Sequence, residues 1–231
     1  MIRLHEFNTQ WWGQPAGIID DSAFFSMPAE AQQLALAPFR WAEFKSRFKN
    51  APSLSALQRA GFFQIDTQEE FRIALKNGPL SPCDRPLEVR FADEQPFEVR
   101  NSDFASFEHE RYRHLLGCTE ELINARYGQW ARSLVREYPK TCLEVCADGA
   151  TQFWFLSRPE ANGLNLTLAM VRREAEISGF LLFEKALAAY AARGHRIGFA
   201  SFSVLNTAVH NIYAKLGAHF LPPTGIWLWV Q

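Results

Sequence analysis

The stretch Leu164-Asn-Leu-Thr-Leu-Ala-Met-Val171 alternates apolar residues with small or polar ones, which predicts a strand with one well-buried face. A charged turn, Arg172 to Glu176, follows. Ser178-Gly179 then opens a helix predicted to run to about Arg193, where Gly194 stops it. His195 to Phe202 reads as a second apolar strand. Asn206 precedes a shorter helix, Thr207 to Leu216, closed by Gly217. Two strands joined by a helix of this length are expected to be parallel, with a right-handed connection. The carboxyl end of the strand at 164–171 feeds a glycine-bearing helix N-terminus. Free N–H groups and the helix dipole both favour a phosphate there.

Upstream, Thr119 caps a helix whose apolar stripe is Ile123, Tyr127, Trp130 and Leu134, and Pro139 ends it. Thr141 to Ala147 and Thr151 to Leu156 are strands joined at Asp148-Gly149, a hairpin signal, and Asn162-Gly163 turns into the strand at 164. An antiparallel meander of three strands therefore leads into the parallel strand–helix–strand. Gly225 to Gln231 alternates strictly and returns as a final strand. Leu87 to Phe91 is a strand, and the region from there to His114 is polar and weakly patterned.

The first third of the chain is read as follows. Met1 to Phe7 is a strand and Trp11-Trp12-Gly13 a turn. Pro28 to Ala37 is a helix, and Phe39 to Phe48 fits either state. Ser53 caps a helix from Leu54 to Ala60, and Phe62–Ile65 and Glu70–Leu75 are two strands. The turn formers between Asn77 and Pro86 mark a boundary between a small N-terminal α/β unit, 1–85, and a larger unit, 86–231.

Composition narrows the function classes. With 231 residues, 20 Phe and 7 Trp, the chain can bury a large core. A formal net charge of -1 without a basic stripe argues against nucleic acid as a partner. No 18-residue apolar run and no signal-like N-terminus is present, so a soluble, cytoplasmic protein is expected, with no membrane partner. Cys83, Cys118, Cys142 and Cys146 form no C-x-x-C pair and read as free thiols. His109 and His114 are five apart, where a helical H-E-x-x-H zinc site needs four, so no metal is expected. Ser201 and Ser203 lack a G-x-S-x-G setting, which excludes a serine hydrolase of that kind.

The run Ser203-Val-Leu-Asn206-Thr-Ala-Val-His-Asn-Ile-Tyr213-Ala-Lys-Leu-Gly217, following strand, turn, helix and strand, resembles the GCN5-related N-acetyltransferase (GNAT) superfamily. The resemblance implies a GNAT-like α/β mixed sheet and acetyl-CoA or another acyl-CoA as co-substrate. It makes Tyr213 the acid that protonates the departing thiolate. Acyl-CoA contacts fall on Ala169, Met170 and Val171 at the strand end, and on Arg173, Ser178, Gly179 and Phe180 in the phosphate loop. Asn206 and Asn211 add contacts from the second helix. In isolation Asn206 reads as a helix cap and Tyr213 as a core residue. The loop departs from the family pattern: Ile177 replaces its first glycine and Glu174 its leading Gln or Arg, while Arg172 and Arg173 can compensate the added acid.

A closer likeness spans nearly the whole chain. Phe7-x-x-x-Trp11-Trp12-Gly13, Leu54-x-x-Leu57-x-x-x-Gly61-Phe62, Tyr127-x-x-Trp130 and Ile226-Trp-Leu-Trp229 occur in the order found in bacterial TDP-fucosamine acetyltransferases and related acyltransferases of nucleotide-linked amino sugars. This implies N-acylation of the amine of a nucleotide-activated amino sugar, and it allows a homodimer. Asp103, Glu108 and His109 are candidates to take the amine proton through water. The alternatives are an acetyltransferase for another small-molecule or peptide amine, or a degenerate GNAT fold that binds without turnover.

Overall fold

The computed structural model describes residues 1–76, 78 and 80–231, so Asn77 and Pro79 of the boundary segment lie outside the described residues. The chain order is β1 (Ile2–Leu4), α1 (Glu6–Trp12), β2 (Ala16–Ile19), α2 (Ala29–Leu36), β3 (Trp41–Arg47), α3 (Leu54–Arg59) and β4 (Phe63–Ala74). It continues with β5 (Leu87–Phe91), α4 (Glu120–Glu137), β6 (Cys142–Ala147), β7 (Ala150–Glu160) and β8 (Gly163–Val171). Then come α5 (Gly179–Ala192), β9 (Ile197–Ser203), α6 (Thr207–Lys215), β10 (His219–Phe220) and β11 (Thr224–Val230). All the strands join one mixed sheet, ordered β1-β2-β3-β11-β4-β9-β8-β7-β6-β5, with β10 on β4.

The expected meander and parallel unit are both present. β6, β7 and β8 pair antiparallel in turn, and β8 pairs parallel with β9. Asp148 and Gly149 both adopt positive φ, 51° and 78°, as the two-residue hairpin requires. Thr119 and Ser53 cap α4 and α3, accepting the N–H groups of Leu122 and Ala56.

A repeat emerges that local sequence pattern does not reveal. Apart from the two-residue β10 that precedes β11, the unit β2-α2-β3-α3-β4 has the same order as β8-α5-β9-α6-β11, and in each the first two strands are parallel. Each unit lends its last strand to the other: β11 lies against β3, β4 lies against β9, and β4 and β11 pair antiparallel between them. Two cavities obey the same relation. One of about 270 Å³ lies between α2, the end of α3 and the end of β11, and one of about 240 Å³ between α5, the end of α6 and the end of β4. The sheet thus runs continuously across the boundary drawn at residue 85, because β4 sits between two strands of the second unit.

Three local readings change. Residues 6–12 form a helix rather than a strand end and a turn. Phe7 and Trp11 fall one turn apart on it, and Gly13 closes it at φ 74°. Phe39–Phe48, which fitted either state, resolves as β3. Phe62–Ile65 and Glu70–Leu75 are one strand, β4: the polar stretch Asp66–Glu69 between them is bonded to β11 on one side and, from Gln68, to β9 on the other. Backbone pairing on both edges holds these residues in the sheet although their side chains are only half-buried.

One core layer packs under α5 and α6 and includes Phe71, Ile73, Leu164, Leu166, Phe183 and Tyr213. A second layer, on the opposite face, packs under α4 and includes Phe104, Leu134, Trp154, Leu168 and Met170. Cys142 and Cys146 are buried free thiols, whose titration burial pushes upward.

Candidate active site

Strand β8 changes face partway along. Leu156 of β7 is opposite Leu168, but Arg158 is opposite Asn165, so β8 carries one extra residue at 166–167 against Ser157. Leu164 and Leu166 accordingly enter the core under α5, whereas Leu168 and Met170 enter the core under α4. Beneath this bulge Tyr190 of α5 accepts a hydrogen bond from Ser157 (3.0 Å), and its hydroxyl is within donor range of the Phe155 (2.8 Å) and Thr141 (2.9 Å) carbonyls.

The bulge coincides with an opening in the sheet. β8 and β9 pair only at Leu164–Gly198 and Asn165–Phe199, although β8 continues to Val171 and β9 to Ser203. The equivalent parallel pair in the first half, β2 with β3, is closed along its whole length from Ala16 to Ile19. Gly163 makes the close start of the second pair possible. It has φ 142°, and a Cβ there would lie 2.6 Å from the Ile197 carbonyl oxygen.

Past the bulge, β8 turns backbone groups toward the opening. Arg172 N–H donates to the Gln152 carbonyl (2.9 Å), and antiparallel pairing alternates, so the N–H groups of Val171 and Ala169 point away from β7. On that side the Val171 carbonyl accepts the Ala105 N–H at 3.0 Å and the Arg173 N–H donates to the Asp103 carbonyl at 2.9 Å, so residues 103–105 line the end of β8 across from β7. By the same alternation the Met170 N–H points to β7, and its side chain is buried. The bulge lies at 166–167, on the amino-terminal side of Ala169 and Met170.

The turn 172–178 brings α5 to this same open end. Ser178 makes no side-chain cap bond and the first helical bond is Leu182 N–H to Ser178 (3.2 Å), so the N–H groups of Gly179, Phe180 and Leu181 have no partner among the described residues. Neither substitution that departs from the family loop obstructs it. Ile177 does not adopt positive φ and packs on the core, and Gly179 needs no left-handed conformation. Glu176 is paired with Arg85, which also reaches Asp148 (3.3 Å), and its N–H donates to Gln152 Oε1 (2.9 Å). Glu174 is exposed. Arg172 donates to the Thr151 carbonyl (3.2 Å), and Arg173 is exposed, its Nε 3.4 Å from the Ser102 carbonyl. A pyrophosphate fits this donor set: unpaired N–H groups at a helix N-terminus, with the nearby acid already neutralised.

On α6, Asn206 is the N-cap, accepting the Val209 N–H at 3.2 Å, and Asn211 is exposed. Tyr213 is buried against Phe71, Phe183 and Phe202. Its hydroxyl makes no hydrogen bond among the described residues, yet it is not one of the sealed unpaired polar atoms, which are on Trp41, Asn124, Trp154 and Trp227. Burial pushes the phenol well above its usual range, so it stays an O–H donor at neutral pH. Counted back from the closing glycines Gly217 and Gly61, the first half has Leu57 where the second has Tyr213, so only the second half combines an open strand pair with a hydroxyl.

Of the residues named for proton removal, Asp103 lies beside the end of β8, its carbonyl accepting the Arg173 N–H at 2.9 Å, whereas Glu108 and His109 are exposed. The Asp103 carboxylate accepts hydrogen bonds from the Arg100 N–H (3.2 Å) and Ser102 Oγ (3.0 Å) within its own turn. Two side chains that sequence reasoning passed over do reach the region: Arg85, and Asp66, to which Ser203 Oγ donates at 2.7 Å. Among the described residues no group of three or more His, Cys, Asp or Glu could hold a metal ion, and no helix is long and apolar enough to cross a membrane.

Comparison with known proteins finds likeness of structure rather than of sequence. No family model matches the chain, and no curated protein does. Among solved structures it is similar to a GCN5-related N-acetyltransferase from Sphaerobacter thermophilus, at 16% identity and TM-score 0.57, over 94% of this chain and 73% of that one. A tandem GNAT protein from the clavulanic acid biosynthesis pathway matches at 13% identity and TM-score 0.55, over 94% and 76%. A GCN5-related N-acetyltransferase from Kribbella flavida matches at 11% identity and TM-score 0.50, over 94% and 81%. The fold is therefore that of the GCN5-related N-acetyltransferases.

Proposed function

We propose that this chain is an acyl-CoA-dependent N-acyltransferase, with acetyl-CoA or another acyl-CoA as co-substrate. The observation that carries the reading is the opening between β8 and β9, flanked by the uncapped N-terminus of α5. In this reading the N–H groups of Gly179 to Leu181 and the positive end of the helix hold the pyrophosphate. The Ala169 and Val171 N–H groups face the thioester, where one of them stabilises the oxyanion. Tyr213 gives its proton to the leaving sulfur. Val171, Arg173, Ser178 and Asn206 border the same open end, and Met170 and Asn211 contribute least because one is buried and the other exposed on the far turn of α6.

For the acceptor we propose the amine of a nucleotide-activated amino sugar, acylated by a cytoplasmic enzyme. Support comes from the aromatic motifs of the first unit and α4, which meet around one cation. The Arg126 guanidinium lies 5.5 Å from the ring centres of Phe7, Trp11 and Tyr127 and 5.8 Å from that of Trp130, on the face opposite α5 and α6. Thermal shift against acyl-CoAs and nucleotide sugars tests both parts, since a ligand bound only by the folded state raises its melting temperature. A rise with acetyl-CoA and a further rise with a nucleotide amino sugar is expected. A rise with acetyl-CoA alone refutes the sugar, and no rise with any acyl-CoA refutes the whole.

A further inference from the structure

We infer that Asp66 takes the proton from the attacking amine and that Ser203 is its positioning residue; this rests on the acyltransferase reading above. The assignment starts from which way β4 and β9 face. Phe71, Ile73 and Leu75 point into the core under α5 and α6, and Glu69 reaches His210 of α6 at 2.6 Å. Strand alternation puts Asp66 on the opposite face. On β9, Ala200 and Phe202 pack into the α5–α6 layer, so Ser203 also faces the other way. The two meet there, Ser203 Oγ donating to Asp66 Oδ1 at 2.7 Å, and the Leu205 N–H at 3.3 Å fixes the hydroxyl in turn. Ser203 is the last residue of β9, level with the open end of the β8–β9 pair. With the acyl-CoA held by α5 on one face, the amine arrives from the other, where Asp66 stands.

Three other carboxylates on that face are already engaged. Glu43 receives Arg111 (2.8 Å), Lys45 (3.3 Å) and the Tyr112 hydroxyl (2.9 Å). Glu110 receives Tyr127 and lies 3.8 Å from Arg126, and Glu70 receives Arg47 (3.1 Å) and Thr224 (2.6 Å). Asp66 is half-buried and has no ion pair among the described residues; its side-chain partner is a neutral hydroxyl. Burial pushes its carboxyl upward, against the opposing hydrogen bond from Ser203 and the field of Arg111, while Glu110 adds to the rise. A carboxylate so displaced toward neutrality suits a base. The step balances as follows. An ammonium N–H proton passes to Asp66. The freed lone pair forms the N–C bond at the thioester carbonyl. The C–S pair leaves on sulfur, which takes a proton from Tyr213, and the second nitrogen proton returns through solvent to the Tyr213 oxygen.

The test uses the full chain, its Asp66→Asn and Ser203→Ala variants, and thiol release from acetyl-CoA. A thymidine-diphosphate 4-amino-sugar, glucosamine, spermidine and water serve as acceptors. Acetyl-CoA affinity and melting temperature are measured on the same preparations. Asp66→Asn is expected to bind acetyl-CoA as the parent does, to lose about a hundredfold or more in turnover, and to lose the carboxyl limb of the kcat/KM pH profile. Ser203→Ala removes a hydrogen bond to the carboxylate form, so that limb should persist but move to higher pH. This arm decides if Asp66→Asn does not fold. Turnover of Asp66→Asn within a few-fold of the parent, or an unmoved limb in Ser203→Ala, overturns the assignment and leaves the acyltransferase reading standing. A parent that binds no acetyl-CoA overturns both. A parent that binds it yet releases no thiol, water included, also counts against Asp66.

Discussion

Tyr213 lies against Phe71 with ring centroids 4.0 Å apart, so a helix of the second half rests on a strand contributed by the first. The contact separates packing from chemistry at one residue. Tyr213→Phe keeps the ring and deletes an O–H that has no partner among the described residues, so the melting temperature should change little. If the hydroxyl protonates the leaving thiolate, kcat should fall about a hundredfold or more with little change in acetyl-CoA affinity. Phe71→Ala should do the reverse on stability, costing about 3–5 kcal/mol through the cavity it leaves. Steady-state kinetics and urea unfolding on both variants check the pair; a Tyr213→Phe enzyme with near-parental kcat makes Tyr213 a packing residue only.

Glu43 and Arg111 tie β3 to the segment preceding α4 through a buried ion pair. Although burial acts to raise it, the charges of Arg111 and Lys45 hold the Glu43 carboxyl well below its ordinary value of 4.5. A carboxyl depressed in the folded state contributes stability that is present above that ordinary value and lost as pH falls toward the folded one. Arg111→Leu leaves the carboxylate buried without its main partner and should cost about 3–5 kcal/mol at pH 7. The gap between parent and variant should then narrow in urea melts taken progressively below pH 4.5. A gap that is constant with pH contradicts the ion-pair account.

Tyr190 holds the residue opposite the β8 bulge, through Ser157. Tyr190→Phe leaves Ser157 Oγ and two carbonyls without that partner in a dry core, with an expected loss of about 1–3 kcal/mol. Hydrogen exchange at β7 and β8 amides should quicken more than at β3 and β11. Uniform loss across the sheet would mean the hydroxyl does not support the bulge locally.

The stretch 164–217 was legible because its strands and helices each bury a periodic face: Leu164, Leu166, Leu168 and Met170 all enter a core. The bulge that sends the first two to one side and the last two to the other leaves no trace in alternation, since all four keep the same parity. β4 was read as two strands because Asp66 to Glu69 are polar, while what keeps them in the sheet is pairing with β9 and β11, more than a hundred residues away in sequence. The exchange of last strands between the two halves is hidden for the same reason. Asp66 itself carried no signal: a single carboxylate in a polar interruption looks like a loop residue until Ser203 is brought to it.

Backbone amide shifts on titration with acetyl-CoA test the central claim most directly, because they report where the ligand sits without requiring an acceptor. The account predicts that Gly179, Phe180 and Leu181 shift most, that Ala169 and Val171 shift with them, and that residues of the closed β2–β3 pair stay still. No shift at millimolar acetyl-CoA contradicts it, as do shifts centred on the cavity around Gln32, Arg59 and Trp229.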